Sequence, residues 1–408
     1  MPDFPVRRNT MLLAGAIAMN SATLQLVAAI SALTFVRVTG VSRLLGLGPA
    51  VSLLSAAAAS FPAGRLMDRV GRVPVLAAGY TAGAIGAALT GSGAALRSAW
   101  LVIPGFILIG AAGGVGQLAR AAAGDMYPPQ HRARGIAYSL FGAVFGAILG
   151  PAVFSPLFRG RKLSSQALAV PWFAGSIMML VALAIVVNVR PDPKRIAEAI
   201  EAQLGRPSGV MGPPASVAEL LRRPGVVPAM IAGVFSFAVM SSVMNLTGYV
   251  IVEHRHHAQH LVFPIIGGHV LGMYLLMPVV GWIVDRVGRA RTLAAGLVLI
   301  SISTGSLMYF EGIVPIGVAL FGLGLGWNVS FVAATTQLAD LAAPWERGKL
   351  LGLNDLVAAL MATTFVLLGG YVLDDLGVSA LALGASVVAL VPIGFILRGE
   401  DRVRVAAH

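Results

Sequence analysis

Gly64-Arg-Leu-Met-Asp68-Arg69-Val-Gly71-Arg72 returns 217 residues later as Gly281-Trp-Ile-Val-Asp285-Arg286-Val-Gly288-Arg289. The copies agree at Gly, Asp, Arg, Val, Gly and Arg. A second pair follows at nearly the same offset. Asp125-Met-Tyr-Pro128-Pro-Gln-His-Arg132-Ala-Arg134-Gly135 is echoed 215 residues on by Asp340-Leu-Ala-Ala-Pro344-Trp-Glu-Arg347-Gly348. Each motif is a short charged stretch beside apolar runs, at the same place in its half of the chain. Two motifs repeating at nearly one offset imply a duplicated chain with parallel halves.

The apolar runs fall near residues 11–36, 46–64, 74–95, 99–122, 135–158 and 171–189. A second set falls near 226–252, 262–284, 292–310, 313–338, 349–373 and 378–397. A membrane-spanning helix needs about 20 apolar residues, so each run is read as one span. Composition agrees: 57% of the 408 residues are hydrophobic, 11% are charged and the mean hydropathy is +0.85. Too few polar residues exist to cover a water-exposed surface, which excludes a soluble enzyme, a nucleic-acid binder and a disordered chain. The 49 glycines suit close helix packing in lipid. With no cysteine, disulfides and thiolate sites are excluded. The first run is too long for a signal-peptide core and is read as the first span.

The formal net charge is +12, carried in the loops. With the N-terminus in the cytoplasm, 21 of the lysines and arginines fall inside and 7 outside. The positive-inside rule then places both termini in the cytoplasm. Arg159, Arg161 and Lys162 form an outer cluster against this trend. The expected division is a six-helix bundle at 1–190, a cytoplasmic linker at 191–223, a second bundle at 224–397 and a cytoplasmic tail at 398–408. Ile196, Ala199, Ile200 and Leu204 recur at helical spacing, which predicts an amphipathic linker helix on the membrane surface.

The Gly-x-x-x-Asp-Arg-x-Gly-Arg loop, present twice, resembles the signature of the major facilitator superfamily. The resemblance extends over essentially the whole chain. It implies an all-α membrane fold of 12 transmembrane helices, arranged as two pseudo-symmetric bundles. Gly142-x-x-x-Gly146-x-x-x-Gly150-Pro151 is similar to the glycine-proline motif of drug–proton antiporters within that family. The resemblance implies a conformational latch at Gly64, Asp68, Arg69, Gly71, Arg72 and Asp125, with its counterpart at Gly281, Asp285, Arg286, Gly288, Arg289 and Asp340. Arg72 would pair with Asp125 and Arg289 with Asp340. Asp68 and Asp285 would face the starts of spans eleven and five in one state. A plainer reading makes all of them topology-setting charges.

The resemblance also makes spans one, four, seven and ten the walls of a substrate cavity. Their candidates are Asn20, Gln25, Gln117, Arg120, Asn245, Trp327 and Asn328. Amides within the membrane need partners, which can equally be neighbouring helices. Groups that could carry a proton at membrane depth are few: Asp355 and His269 are the candidates. Asp355 can alternatively serve the start of span eleven as a helix-end charge. His254, His256, His257 and His260 crowd an outer loop. His256 and His260 have metal-ligand spacing, but Arg255 among them favours a solvated loop.

No paired carboxylates, Ser-His-Asp set or P-loop appears, so neither enzyme chemistry nor ATP-driven transport is expected, and no cofactor or metal. The expected function is secondary active transport of a small organic molecule across the bacterial cytoplasmic membrane by a monomer. Its partners are the substrate, protons and membrane lipids, with no nucleic acid. Proton-coupled efflux is favoured; uptake, facilitated diffusion and a non-transporting sensor are the alternatives.

Overall fold

A computed structural model describes residues 4–128, 131–160, 164–203, 215–343 and 346–406. Every regular element among them is helical. The chain divides into two compact units: Met1–Val210 with Ala258–Gly267, and Met211–His257 with Gly268–His408. Arg161, Lys162, Leu204, Pro344 and Trp345, named in the sequence reading, lie outside the described residues.

The first unit contains α1 (Val6–Thr39), α2 (Leu47–Val70), α3 (Arg72–Leu96), α4 (Ala99–Gln117), α5 (Ala119–Asp125), α6 (Arg132–Leu140), α7 (Gly142–Phe154), α8 (Ser165–Val186) and α9 (Pro193–Gln203). Long apolar stretches make most of these helices, because a backbone in lipid must satisfy its hydrogen bonds within the segment; α9 is polar. α1 stops at Gly40, whose φ of +73° lets its N–H return to the Val36 carbonyl. α8 begins before its apolar run, because the Ser164 hydroxyl accepts the Ala167 N–H at 3.1 Å and caps it. The core gathers the fully buried Trp172, Tyr80 and Phe106. Trp172 Nε1 donates to Thr34 Oγ1 at 3.0 Å and so ties α8 to α1.

The glycines of α7 have a packing purpose. A side chain at Gly142 would run into the Ala14 carbonyl of α1. One at Gly146 would meet the Ala18 carbonyl at 2.6 Å, and one at Gly150 the Gln25 amide at 2.8 Å. Bare backbone every four residues makes a flat seam, and two helices close on it by van der Waals contact. Phe263 packs on Phe154 of α7 with ring centroids 5.6 Å apart. Gly267 faces the Ala147 carbonyl and Pro151. These contacts explain why Ala258–Gly267 groups with the first unit, although the sequence division assigned it to the second bundle.

The second unit contains α10 (Val217–Arg222), α11 (Val226–Tyr249), α13 (Met277–Val287), α14 (Arg289–Ser306), α15 (Ile313–Asp340), α16 (Arg347–Ala406) and the latter part of α12 (Val262–Tyr274). The eighth apolar run is broken into α12 and α13, bent by 41°. Pro278 in the first turn of α13 lacks the N–H that would continue the helix. α16 carries the last two runs and is interrupted at Gly377, where φ is +80°. Among the described residues nine helices are long and apolar enough to cross a membrane, or ten with the bent pair.

The linker is held to both units. α9 forms where the spacing predicted a helix, but its Ile196 is fully buried and the helix packs against α3 and α5 of its own unit. α10 starts with a capping box, Ser216 and Glu219 exchanging side-chain and backbone bonds. Its Leu220 enters an apolar cluster with Val226, Met230, Leu338 and Leu350.

Candidate functional site

Each copy of the repeated loop is a helix–turn–helix corner. α2 ends and α3 begins at Gly71, with φ +107°; α13 ends and α14 begins at Gly288, with φ +94°. Positive φ at both corners is a conformation glycine reaches without Cβ strain. The turn brings the Arg that follows back over the Asp four residues before it. Arg72 donates through a terminal nitrogen to Asp68 Oδ1 at 2.7 Å and through Nε to Asp125 Oδ2 at 2.9 Å. In the second unit, Arg289 Nε donates to Asp340 Oδ2 at 3.0 Å, and its terminal nitrogen is 4.0 Å from Asp285 Oδ1. The Arg Nε to Asp Oδ2 bond is the same in both halves, while the bond to the Asp four residues earlier is made only in the first.

The two corners differ in tightness. The Arg72–Asp125 side chains are 16% and 22% exposed, against 36% and 53% for Arg289–Asp340. The first pair is therefore better shielded and its attraction less screened. Asp68 and Asp285 are mostly exposed, as are Arg69 and Arg286. Arg286 lies over the Trp282 ring at 4.0 Å. Gly64 and Gly281 have no described atom within 4 Å of where a side chain would begin.

Asp192, absent from the sequence candidates, completes the first corner. Its carboxylate accepts the Arg72 N–H at 3.1 Å, the Val73 N–H at 2.9 Å and the Lys194 N–H at 2.8 Å. It thus caps α3 with a negative charge at the helix end that favours one. Lys194 Nζ adds a bond to the Arg69 carbonyl at 3.0 Å. A Cβ on Gly71 would come within 2.8 Å of Asp192 Oδ2. Only the Pro-Asp-Pro context of Asp192 could have flagged it, as a turn residue that caps a helix.

The second unit is braced differently. Arg223 makes a fork to Glu346, at 2.6 and 2.9 Å, and reaches the Leu341 carbonyl at 3.1 Å. Glu346 also accepts the Ala343 N–H at 3.0 Å. The hydrogen bonds from Arg223, and then that from Ala343, hold the Glu346 carboxyl below its ordinary range. Lys349 Nζ donates to the Ala215 carbonyl at 2.6 Å. Each end of the linker therefore grips the loop region of its own unit.

The cavity candidates separate. Gln25 donates to the Gly146 carbonyl at 2.8 Å, joining α1 to α7. Asn20 lies against Gly116 of α4. Asn245 donates to Ser241 on its own helix at 2.8 Å. Gln117 and Arg120 are half-buried and flank Leu118, where a tightened turn divides α4 from α5. Trp327 is stacked on Phe331, while Asn328 is fully buried with no hydrogen-bond partner for either amide atom among the described residues.

His269 is fully buried, its Nδ1 2.8 Å from the Leu320 carbonyl. Asp355 is exposed on α16, beside the buried Asn354. In the histidine-rich loop, His257 Nε2 is 2.6 Å from the Glu311 carbonyl and Arg255 is 3.6 Å from the Glu311 carboxylate. The imidazoles are not gathered with each other or with carboxylates into a cluster of three among the described residues.

The profile of the Major Facilitator Superfamily matches residues 11–268 and 257–406. The uncharacterised MFS-type transporter YdeG of Bacillus subtilis is 29% identical over 381 residues, covering 91% of this chain and 87% of its own. The riboflavin transporter RfnT of Brucella anthropi is 28% identical, covering 96% of both chains. Among solved structures, a POT family transporter superposes with a TM-score of 0.77 at 12% identity, over 97% of this chain and 96% of that one. A D-xylose-proton symporter gives 0.71 at 14% identity, over 96% and 97%.

Proposed function

The chain belongs to the Major Facilitator Superfamily, and from that premise we propose that it moves a small organic molecule across a bacterial cytoplasmic membrane by alternating access. The observation that carries this reading is the pair of matched corners. Arg72 with Asp68 and Asp125, and Arg289 with Asp340, are ion pairs of 2.7, 2.9 and 3.0 Å that can be broken and remade, and Asp285 stands 4.0 Å from Arg289. They stiffen the corner of each bundle, and the exposed Asp68 and Asp285 leave a charge at each corner for a contact made in one state of a rocking transporter. The near end-to-end match to a riboflavin transporter supports a small-molecule cargo.

In this reading the chain crosses the membrane twelve times, with α14 one crossing, α12 and α13 together another, and α16 two crossings meeting at Gly377. Both termini are then cytoplasmic, in keeping with the loop charges. The direction is export driven by the inward proton gradient, supported by the glycine-proline seam of α7. Asp355 carries the proton; its exposed carboxyl can exchange with its surroundings, whereas His269 is fully buried. Counter-flow of labelled riboflavin and a panel of small organic solutes in proteoliposomes tests transport. An imposed pH gradient in the same vesicles tests coupling and direction. Absence of counter-flow for every solute would remove the transport reading.

A further inference from the structure

We propose that the second unit contains a subsite for a planar aromatic ring system with hydrogen-bonding edges, formed by Trp327, Phe331, Phe237 and Tyr274. The proposal rests on the transport reading above and names the chemical class of the cargo.

Four rings from three helices meet there. Trp327 and Phe331, one turn apart on α15, are stacked with centroids 4.7 Å apart and planes at 21°. Tyr274 at the end of α12 meets Trp327 at 6.0 Å and 68°, and Phe237 of α11 meets it at 6.5 Å and 54°. Trp327 is buried at the centre, while Phe331, Tyr274 and Phe237 each keep part of their surface open. The rest of α15 is already engaged. Gly326 and Ser330 lie against Gly296 of α14, and Gly324 against the His269 carbonyl of α12. The ring face is what this helix presents between α11 and α12. Partly open rings around a buried tryptophan offer the offset and edge contacts that a flat aromatic molecule accepts.

Two independent features mark the place as more than packing. First, the helix is interrupted beside it: α12 ends at Tyr274, α13 starts at Met277, and the two are bent by 41°. Irregular backbone at membrane depth is tolerated where it is buried in protein or lines a cavity, and broken helices build transporter sites. Second, Asn328, next to Trp327 in the chain, is fully buried with no hydrogen-bond partner for either amide atom among the described residues. Such a group is costly to leave unmade, and a ligand edge bearing donors and acceptors would satisfy it. Polar groups continue from the rings. Phe237, Ser241 and Asn245 recur every four residues along one face of α11, as do Trp327, Phe331 and Thr335 on α15. An aromatic platform with amides and hydroxyls at its margins selects a heteroaromatic plane over a saturated sugar.

The test uses the full-length protein in nanodiscs and three probes: lumichrome (the fused ring alone), riboflavin (ring with sugar-alcohol chain) and ribitol (chain alone). Binding is read by equilibrium dialysis. Lumichrome and riboflavin should bind and ribitol should not. Trp327→Leu should weaken ring binding about tenfold, of the order of one lost stack, and Trp327→Phe should recover most of it. Phe237→Leu, at the open rim where folding is least at risk, should weaken it several-fold, with thermal unfolding confirming an intact fold. Failure of both ring probes to bind would overturn the proposal, as would ribitol binding alone or ring affinity indifferent to Trp327→Leu and Phe237→Leu. Riboflavin counter-flow separates the two readings. Ring binding that follows the variants without counter-flow of any solute overturns transport and keeps the subsite. Solute counter-flow indifferent to the variants overturns the subsite and keeps transport.

Discussion

Gly71 and Gly288 occupy equivalent places in the repeat and should not respond equally to alanine. Both have positive φ, +107° and +94°, with extended ψ, so a Cβ costs roughly 1–3 kcal/mol of backbone strain at either. At Gly288 no described atom lies within 4 Å of the added carbon, and strain is the whole effect. At Gly71 the added carbon would sit 2.8 Å from Asp192 Oδ2. The carboxylate must then withdraw from the N–H groups of Arg72 and Val73, which it accepts at 3.1 and 2.9 Å. Losing a helix cap costs about 1 kcal/mol, with a few tenths more for the charge at the helix end. Gly71→Ala should therefore destabilise by about 1–2 kcal/mol more than Gly288→Ala, a difference of a few degrees in apparent unfolding temperature. Scanning fluorimetry of the purified protein measures it. A cycle adds the sharper check: with Asp192→Ala already present, Gly71→Ala should cost no more than Gly288→Ala. Equal costs for the two glycine substitutions in the native background, or full additivity in the cycle, would refute the account of Asp192 as the cap of α3.

Other outcomes follow from the same geometry. Asp68→Asn and Asp285→Asn should each keep the fold, since both side chains are mostly exposed, yet lower transport at least tenfold; normal transport by both in proteoliposomes would end the latch reading. Asp355→Asn should abolish flux driven by a pH gradient while sparing exchange at equal pH, and loss of both would make Asp355 structural. Replacing His254, His256, His257 and His260 by Ala should leave transport at neutral pH within about twofold, with activity that returned only on adding zinc counting against this. The Arg223–Glu346 fork should loosen in acid. Glu346 is held below its ordinary range by Arg223 and the Ala343 N–H, so its stabilisation is present above that range and is lost as pH falls through the depressed value. Protease nicking near residue 346 should rise below the usual carboxylate range, and Glu346→Gln should show the raised nicking at neutral pH as well.

The repeat at 64–72 and 281–289 was enough to predict two matching charged corners, while the pairing of Arg72 with Asp125 and of Arg289 with Asp340 came from the family resemblance of those loops. The apolar runs likewise located α1, α2 and α3, with ends that agree to within about six residues, since α1 starts and α2 ends in charged turns outside the runs. The division of the amides was less legible. Gln25 reads from sequence as a polar group in want of a cavity, yet its partner is the Gly146 carbonyl of α7. Which helix lies opposite decides between the two, and spacing along one helix carries no information about the next. Of the two proton candidates, Asp355 is the better placed by sequence, near the start of span eleven; packing set His269 deep against a carbonyl and left Asp355 exposed.

Sequence alone determined what depends on local chemistry and repetition: a helical membrane chain, its duplication, its charged corners and the glycines those corners require. The apolar content forces internal hydrogen bonding, and duplication copies every local feature with it. Tertiary structure decided what depends on neighbours distant in the chain. It brought Asp192 to the start of α3 across some 120 residues, turned Phe237, Tyr274, Trp327 and Phe331 into one aromatic cluster, and left Asn328 buried with no hydrogen-bond partner among the described residues. Satisfaction of a polar group, or stacking of a ring, is a property of the space around it, and that space is made by other helices.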